Sequence, residues 1–454
     1  MGQEKENKMG TQKIPKLLIS MSLPAMFSML IQALYNIVDS IFVAQINENA
    51  LTAVSLAFPI QTLILAVSLG TGIGINSLIA RRLGEKRKEE ACRAADHGII
   101  LGLASWGLFA VLGLLFTPLF FRAFTSDPQI VEYGCEYIYV ITICSFGIFL
   151  SVNIEKIIQA TGNMIYPMCQ NLVGAVTNLI LDPILIFGLL GFPKMGVLGA
   201  AIATVTGQIF GMLFGLVMLF AKNHEIRVSL KGFRFSWQAV RDIYAVGFPS
   251  IIMQAVSSVL TVCLNGILIG FSATAVSVLG IYYKLQSFVF MPVFGLNQGS
   301  MPIMGYNYGA GNKRRLISTI KLSCIIAFSI MVLGTLVFWI FPGVLLKMFN
   351  ASQSMLSIGI PALRLISLSF MMASINIVLS NLFQATGHGV KSLTVSLIRQ
   401  LAVILPVAWL LSRAIGVNGV WLAFPAAEIV GFVLSLLFFL GVYRTEIKSM
   451  PEQA

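Results

Sequence analysis

From residue 17 onward the chain is a series of long apolar runs separated by short polar stretches. The runs fall at 17–44, 51–80, 94–120, 129–160, 163–190, 195–221, 240–270, 273–306, 316–343, 354–385, 389–412 and 416–443. A helix rises about 1.5 Å per residue and needs about 20 apolar residues to cross a bilayer core. Each run therefore predicts one membrane-spanning helix, twelve in all. Several runs are longer than that, which predicts tilting, kinking or protrusion. Pro24, Pro59, Pro249, Pro292 and Pro406 lie inside runs and predict local bends.

Composition removes the alternatives. Hydrophobic residues make up 57% of the 454 and charged residues only 11%, and mean hydropathy is +0.88. A soluble globular chain carries about 25% charged residues. A soluble enzyme, a disordered chain and a fibrous protein are excluded. The net charge of +12 would suggest nucleic acid in a soluble protein. Here its distribution points elsewhere, and no nucleic-acid partner is expected. Alternate loops hold Lys5, Lys8, Lys13 and Lys16, then Arg81, Arg82, Lys86, Arg87, Lys88 and Arg93, then Lys222, Arg227, Lys231, Arg234 and Arg241, then Lys313, Arg314 and Arg315. The opposite loops hold only Arg122, Lys194, Lys347 and Arg413. By the positive-inside rule both termini are expected in the cytoplasm. Residues 1–13 are polar, and no signal peptide is expected before the first run. The six cysteines contain no CxxC and His97, His224 and His388 lie far apart, so neither a disulfide framework nor a metal site is expected.

Shifted by 225 residues, the chain meets itself. Pro24 falls on Pro249, Gly70 on Gly295 and Gly84 on Gly309. Gln159-Ala160-Thr161-Gly162 falls on Gln384-Ala385-Thr386-Gly387. After a five-residue shortening, Gly196-Val197-Leu198-Gly199 meets Gly416-Val417-Asn418-Gly419. Six spans per copy return the chain to its starting side, so the copies share one topology, as in transporters built of parallel repeats. The expected fold is an all-α polytopic membrane protein with twelve helices in two pseudo-symmetric six-helix bundles, 1–225 and 226–454. A substrate path between the two lobes is the default for that architecture.

Three acids sit well inside spans: Asp39, Asp182 and Glu428. A charge at the bilayer centre costs at least about 2.5–3.5 kcal/mol, so such residues face a cavity or a partner. Asp39 and Asp182 lie at similar depths by residue count. Asn178, four residues before Asp182, shares its helix face, and Thr204 lies at a matching depth on the next helix. Two carboxylates, an amide and a hydroxyl suit a proton or a hard cation such as Na⁺. The alternative is a set of buried polar residues bonded separately to neighbouring helices. Asp182-Pro183 also leaves the carbonyl of Leu179 without its usual helical donor. In the second copy the equivalent positions are Leu264 and Val407, while Lys284, Arg364, Arg399 and Glu428 lie in its spans. Glu428 is expected to pair with one of those cations. Lys284 either orients helices or meets substrate.

These residues resemble the multidrug and toxic compound extrusion (MATE) family, in its MepA-like bacterial branch. The resemblance is carried by Gln32-Ala33-Leu34-Tyr35-Asn36-Ile37-Val38-Asp39, Gln159–Gly162, Asn178–Pro183, Gly196–Thr204, Tyr283-Lys284-Leu285-Gln286 and Pro302–Gly309. It covers nearly the whole chain, in order. It implies a V of two bundles with cargo between them, in a bacterial cytoplasmic membrane. It implies export of amphipathic, often cationic drugs against inward H⁺ or Na⁺, with no other cofactor, by a protein functional as a monomer among membrane lipids. The family's first-lobe cation site matches Asp39, Asn178, Asp182 and Thr204. Gln32, Tyr35, Asn36, Lys284 and Glu428 are the candidates for a substrate cavity or an ion pair. The NorM-type branch places acids on helices 7 and 10, where this chain has Ser257 and the pair Ile375–Asn376. Coupling is therefore expected to rest on the first lobe. The rival reading is a flippase for lipid-linked precursors, whose diphosphates would suit a basic cavity. No nucleophile–base set supports an enzyme.

Overall fold

Polar breaks in the sequence become helix ends because they supply the groups a helix terminus lacks. Asp127 caps the helix Pro128–Ile143 by accepting from the amides of Gln129 and Ile130, with Pro128 at a position that needs no donor. Ser272, Asn312 and Ser352 cap the helices Ala273–Gly309, Lys313–Ile340 and Gln353–Ser367 in the same way. Gly188, at φ +74°, ends Ile165–Phe187 in the left-handed conformation that glycine adopts without strain.

The structure is a computed structural model that describes residues 7–46, 48–221, 225–229, 231 and 233–451; the side chains at 35–37, 39–41, 43–44, 48 and 51 lie outside the described set. No strand occurs among the described residues. Among the described residues ten helices are long and apolar enough to cross a membrane, twelve when each of two bent pairs is one span. In order, spans 1–3 are Ile14–Ala44, Glu48–Gly84 and Lys88–Phe124, and span 4 is the pair Pro128–Ile143 and Phe146–Ala160. Spans 5–9 are Ile165–Phe187, Val197–Ala221, Trp237–Ile269, Ala273–Gly309 and Lys313–Ile340. Span 10 is the pair Gln353–Ser367 and Phe370–Ala385, span 11 is Gly389–Ile415 and span 12 is Val417–Val442.

Spans 4 and 10, expected as single helices, are broken by 42° and 48°. Their first residues, Pro128 and Gln353, stand one repeat apart. Each break carries a serine whose hydroxyl takes a helical carbonyl: Ser145 that of Thr142 at 2.8 Å, Ser369 that of Ile366 at 2.6 Å. That local bond competes with the helical ladder. Span 11 contains a π-helical stretch, Ile398–Ile404, just before Pro406. Proline removes a donor, and the wider turn absorbs the mismatch.

Packing divides the chain into two compact units, Phe27–Ile251 and Met1–Met26 with Ile252–Ala454. The first half of span 1 thus packs in the unit of spans 8–12, and the first half of span 7 in the unit of spans 2–6. Glycines explain both. On span 2, a Cβ at Gly74 would overlap the Ile243 carbonyl, and one at Gly70 would lie 2.9 Å from the Gly247 oxygen and the Ile251 nitrogen. On span 8, a Cβ at Gly295 would lie 2.5 Å from Met26 Cα, and one at Gly299 would lie 2.7 Å from Ser22 Cα. The same Gly-x-x-x-Gly spacing seats a helix in each unit by close backbone approach. Arg82 adds ion pairs to Glu90 at 3.1 Å and to Asp242 at 3.3 Å in the Phe27–Ile251 unit. In the other unit Arg315 donates to the carbonyls of Met9 and Gln12 at 2.9 and 2.7 Å.

The core of the Phe27–Ile251 unit gathers Phe109, Phe121, Tyr137, Phe149, Ile186 and Val205. The other unit is centred on Tyr282, Phe338, Phe370 and Phe424, whose rings meet at 5.3–6.5 Å, largely edge to face. The linker before span 7 is held on span 3. Buried His97 accepts from the Ser236 amide at Nε2 (2.8 Å), its Nδ1 lies 2.7 Å from the Arg93 carbonyl, and Phe233 and Phe235 flank its ring. The carbonyl requires a proton on Nδ1, which fixes the neutral tautomer with Nε2 as acceptor. His97→Leu is expected to cost about 1–2 kcal/mol locally. Trypsin cleavage at Arg227 and Arg234 should rise several-fold relative to the parent; unchanged cleavage would remove His97 as the anchor.

Candidate cation and cargo site

Spans 5 and 6 approach through two glycines. A Cβ on Gly207 would lie 2.6 Å from the Gly174 carbonyl oxygen and 3.1 Å from Asn178 Cβ. That contact brings Thr204 of span 6 against Asn178 of span 5. Asn178 is 2% exposed and Asp182 is fully buried. In the amide orientation that satisfies both ends, Asn178 Nδ2 donates to Asp182 Oδ2 at 2.7 Å. Its Oδ1 then accepts from the Thr204 hydroxyl at 3.3 Å and the Thr204 amide at 3.0 Å. This orientation is assigned from the hydrogen-bond network. The structure thus joins three sequence-predicted residues into one chain: carboxylate, amide, hydroxyl.

Asp39 lies on span 1, five residues before its end at Ala44, and its side chain is outside the described residues. So are those of Tyr35 and Asn36. Gln32 is exposed on the same helix. Asp182 lies five residues before the end of span 5 at Phe187. Eleven residues before each aspartate stand Ser28 and Asn171, and the Asn171 amide donates to the Ser28 hydroxyl at 2.8 Å.

In the other unit Glu428, Arg399 and Arg364 are hydrogen-bonded, and among the described residues Lys284 is not. Glu428 of span 12 accepts from Arg399 Nη1 and, at 2.6 Å, from Asn376 Nδ2. Arg364 donates to the Trp339 carbonyl at 3.3 Å, and the Trp339 indole donates back to the Arg364 carbonyl at 3.1 Å. Lys284 is exposed with its Nζ 6.0 Å from the centre of the Phe349 ring. Ser257 donates to Gln400 Oε1 at 3.2 Å.

Sequence reasoning missed one buried charged cluster. Glu155 and Lys156, near the end of span 4, are both buried. Lys156 Nζ lies 3.1 Å from Glu155 Oε1 and donates to Gln159 Oε1 at 3.0 Å, and the Gln159 amide donates to Glu155 at 2.7 Å. Proximity to the helix end made these charges look solvated. The repeat carried the signal that was needed. One copy on, the positions are Ser380, Asn381 and Gln384, a neutral set, and Gly72, which makes room for the Lys156 stem, becomes Asn297. Asn381 donates there to the Asn297 carbonyl at 3.1 Å.

The MatE family model matches residues 24–184 and again 249–410, two segments whose starts are 225 residues apart. Multidrug export protein MepA of Staphylococcus haemolyticus (strain JCSC1435) is 26% identical over 426 residues, 93% of each chain. The probable multidrug resistance protein NorM of Thermotoga maritima is 26% identical over 431 residues, 94% of this chain and 93% of that one. Among solved structures, a multidrug resistance MATE family transporter of the MOP superfamily in an outward-facing conformation superimposes with a TM-score of 0.91 at 28% identity, covering 98% of this chain and 100% of that one. A MOP superfamily transporter from Pyrococcus furiosus, described as having a binding pocket of reverse polarity that suggests a different function, gives the same score at 27% identity over 99% of both.

Proposed function

Because this chain belongs to the MATE family and is a multi-pass membrane transporter rather than an enzyme, we propose that it exports amphipathic, mainly cationic drugs out of a bacterial cell in exchange for inward H⁺ or Na⁺. The buried Asp182–Asn178–Thr204 chain carries this reading. A carboxylate with no exposure inside a membrane span is expensive unless it binds a proton, a cation or a fixed partner. The Asn178 amide that donates to it is neutral, and we assign the coupling ion, H⁺ or Na⁺, to this carboxylate.

Asp39 is the second carboxylate of the proposed site. Spans 1 and 5, both odd-numbered, run in the same direction in an alternating topology. The Ser28–Asn171 bond then sets their register, and eleven residues on, about 16 Å along each helix, Asp39 and Asp182 come level. Two neighbouring carboxylates repel one another, which favours binding of one H⁺ or Na⁺ by the pair. Loading the pair with H⁺ or Na⁺ removes negative charge and weakens attraction for a cationic drug, which leaves outward. Gln32, Tyr35 and Asn36 of span 1 are the proposed cargo contacts on this side. Alternating access is proposed between the repeat halves 1–225 and 226–454, both termini being cytoplasmic, in a monomer surrounded by lipid.

The flippase reading needs cations available to a diphosphate. Arg399 already meets Glu428 and Arg364 meets a carbonyl, which weighs against it, although Lys284 stays exposed, with only the Phe349 ring at 6.0 Å among the described residues. The deciding experiment is ethidium efflux from proteoliposomes holding the purified protein, with a pH gradient and a Na⁺ gradient imposed separately. Efflux is expected to follow one of the two and so to name the ion. Efflux that follows neither, with flipping of a lipid-linked diphosphate instead, would overturn drug antiport.

A further inference from the structure

Glu428 lies eleven residues into span 12 and is buried. Its two carboxylate oxygens accept from two different helices, Oε1 from Arg399 of span 11 and Oε2 from Asn376 of span 10. The same Asn376 nitrogen reaches the Glu428 main-chain carbonyl at 3.3 Å. Asn376 is 4% exposed, and its Oδ1 is buried without a hydrogen-bond partner among the described residues. Gly431 makes the room: a Cβ there would lie 3.0 Å from both Arg399 Cδ and Asn376 Nδ2. These contacts gather three side-chain oxygens, two from Glu428 and one from Asn376, all acceptors suited to a cationic donor.

Arg399 fills that role incompletely. It rises from the π-helical stretch, its side chain is 24% exposed, and only Nη1 is bonded among the described residues. Arginine–carboxylate pairs are frequently bidentate, with two parallel bonds, and this one is not. A single bond from a partly exposed arginine, beside a buried acceptor with nothing to accept from, is the geometry of an exchangeable partner. Beside it Gln400 is held by Ser396 and Ser257, and span 7 turns Gln254, Ser257 and Ser258 outward. Polar side chains in a membrane span bond across helices or face a water-filled cavity.

We propose that Glu428 and Asn376 form a binding site for the positively charged group of an amphipathic organic cation, and that Arg399 is the internal cation that fills it until cargo displaces it. The proposal rests on the export reading for its cargo. The exchange leaves no buried carboxylate unpaired, because one cation arrives as the other leaves. The long arginine stem lets the displaced head move into the polar lining while its methylenes stay packed. A second site of this kind selects cationic cargo without consuming a second coupling ion, since its resting counter-charge is tethered.

The test is equilibrium binding of ethidium, with uncharged Nile red as control, to the purified full-length protein in detergent. Arg399→Gln removes the competitor and is expected to tighten ethidium by about tenfold, because the competent site is no longer masked. Arg399→Lys keeps a tethered cation and the native affinity. Glu428→Gln weakens ethidium by a similar factor, and Nile red is unchanged throughout. Ethidium binding to a monodisperse Arg399→Gln protein no tighter than to the native one overturns the proposal. Should that variant not fold, unchanged ethidium affinity in Glu428→Gln overturns it equally. Gradient-driven ethidium efflux by the native protein is measured in parallel. Its absence would defeat the export reading, whereas intact efflux with unchanged binding in the variants would defeat only this site.

Discussion

Gradient-driven ethidium efflux by Asp182→Asn is expected to fall to the leak of protein-free liposomes, a loss of at least about a hundredfold. The substitution preserves shape. The side-chain carbonyl of the new asparagine can still accept from the Asn178 amide, which donates to Asp182 at 2.7 Å in the native protein. Expression and monodispersity should therefore survive. What disappears is the charge. A neutral amide neither takes up a proton nor supplies a carboxylate to Na⁺, so the carrier returns without its ion. For an uncharged drug, an ion crossing 100 mV supplies about 2.3 kcal/mol, more than the roughly 1.4 kcal/mol of a tenfold drug gradient. For a monovalent cation such as ethidium one-for-one exchange is electroneutral, and the imposed pH or Na⁺ gradient, about 1.4 kcal/mol per tenfold, does the work. Without that supply the gradient collapses. Asp39→Asn should behave alike. Native-like efflux from Asp182→Asn would remove this carboxylate from coupling.

Gly74→Leu is expected to be the most destabilising single change considered, about 3 kcal/mol or more. A Cβ at Gly74 would overlap the carbonyl of Ile243, a backbone group that no rotamer change can move aside. Span 7 would have to lift off span 2, losing the neighbouring Gly70–Gly247 approach as well. Thermal unfolding followed by tryptophan fluorescence in detergent should show a lower midpoint or aggregated protein. Gly107→Leu serves as the control, since nothing stands within 4 Å of its would-be Cβ. Equal midpoints for the two variants would mean that the glycine seat does not hold span 7.

Much of this was legible in the sequence for a simple reason. Lipid cannot satisfy backbone polar groups, so long apolar runs become helices, and their number follows from counting. Pro24 on Pro249 and Gly70 on Gly295 disclosed the repeat, and the family model later matched two segments at the same offset. Asn178 and Asp182 were found because an in-span acid with an amide one turn away is a rare pattern in a chain so poor in charge. The serine-induced breaks in spans 4 and 10 were not legible, because a serine inside an apolar run usually tolerates a straight helix.

The sequence by itself determined twelve spans, two copies and a short roster of in-membrane charges, all properties of composition and period. Tertiary structure decided who meets whom. Thr204 reaches Asn178 only because Gly174 and Gly207 let two helices touch. Glu428 chose Arg399 over Lys284 and Arg364 because Gly431 opens the space for that one side chain. Glu155 and Lys156 became a buried pair because Gly72 on span 2 makes room for the lysine stem. Such choices turn on ångström-scale approach between helices far apart in sequence, which period and composition do not encode.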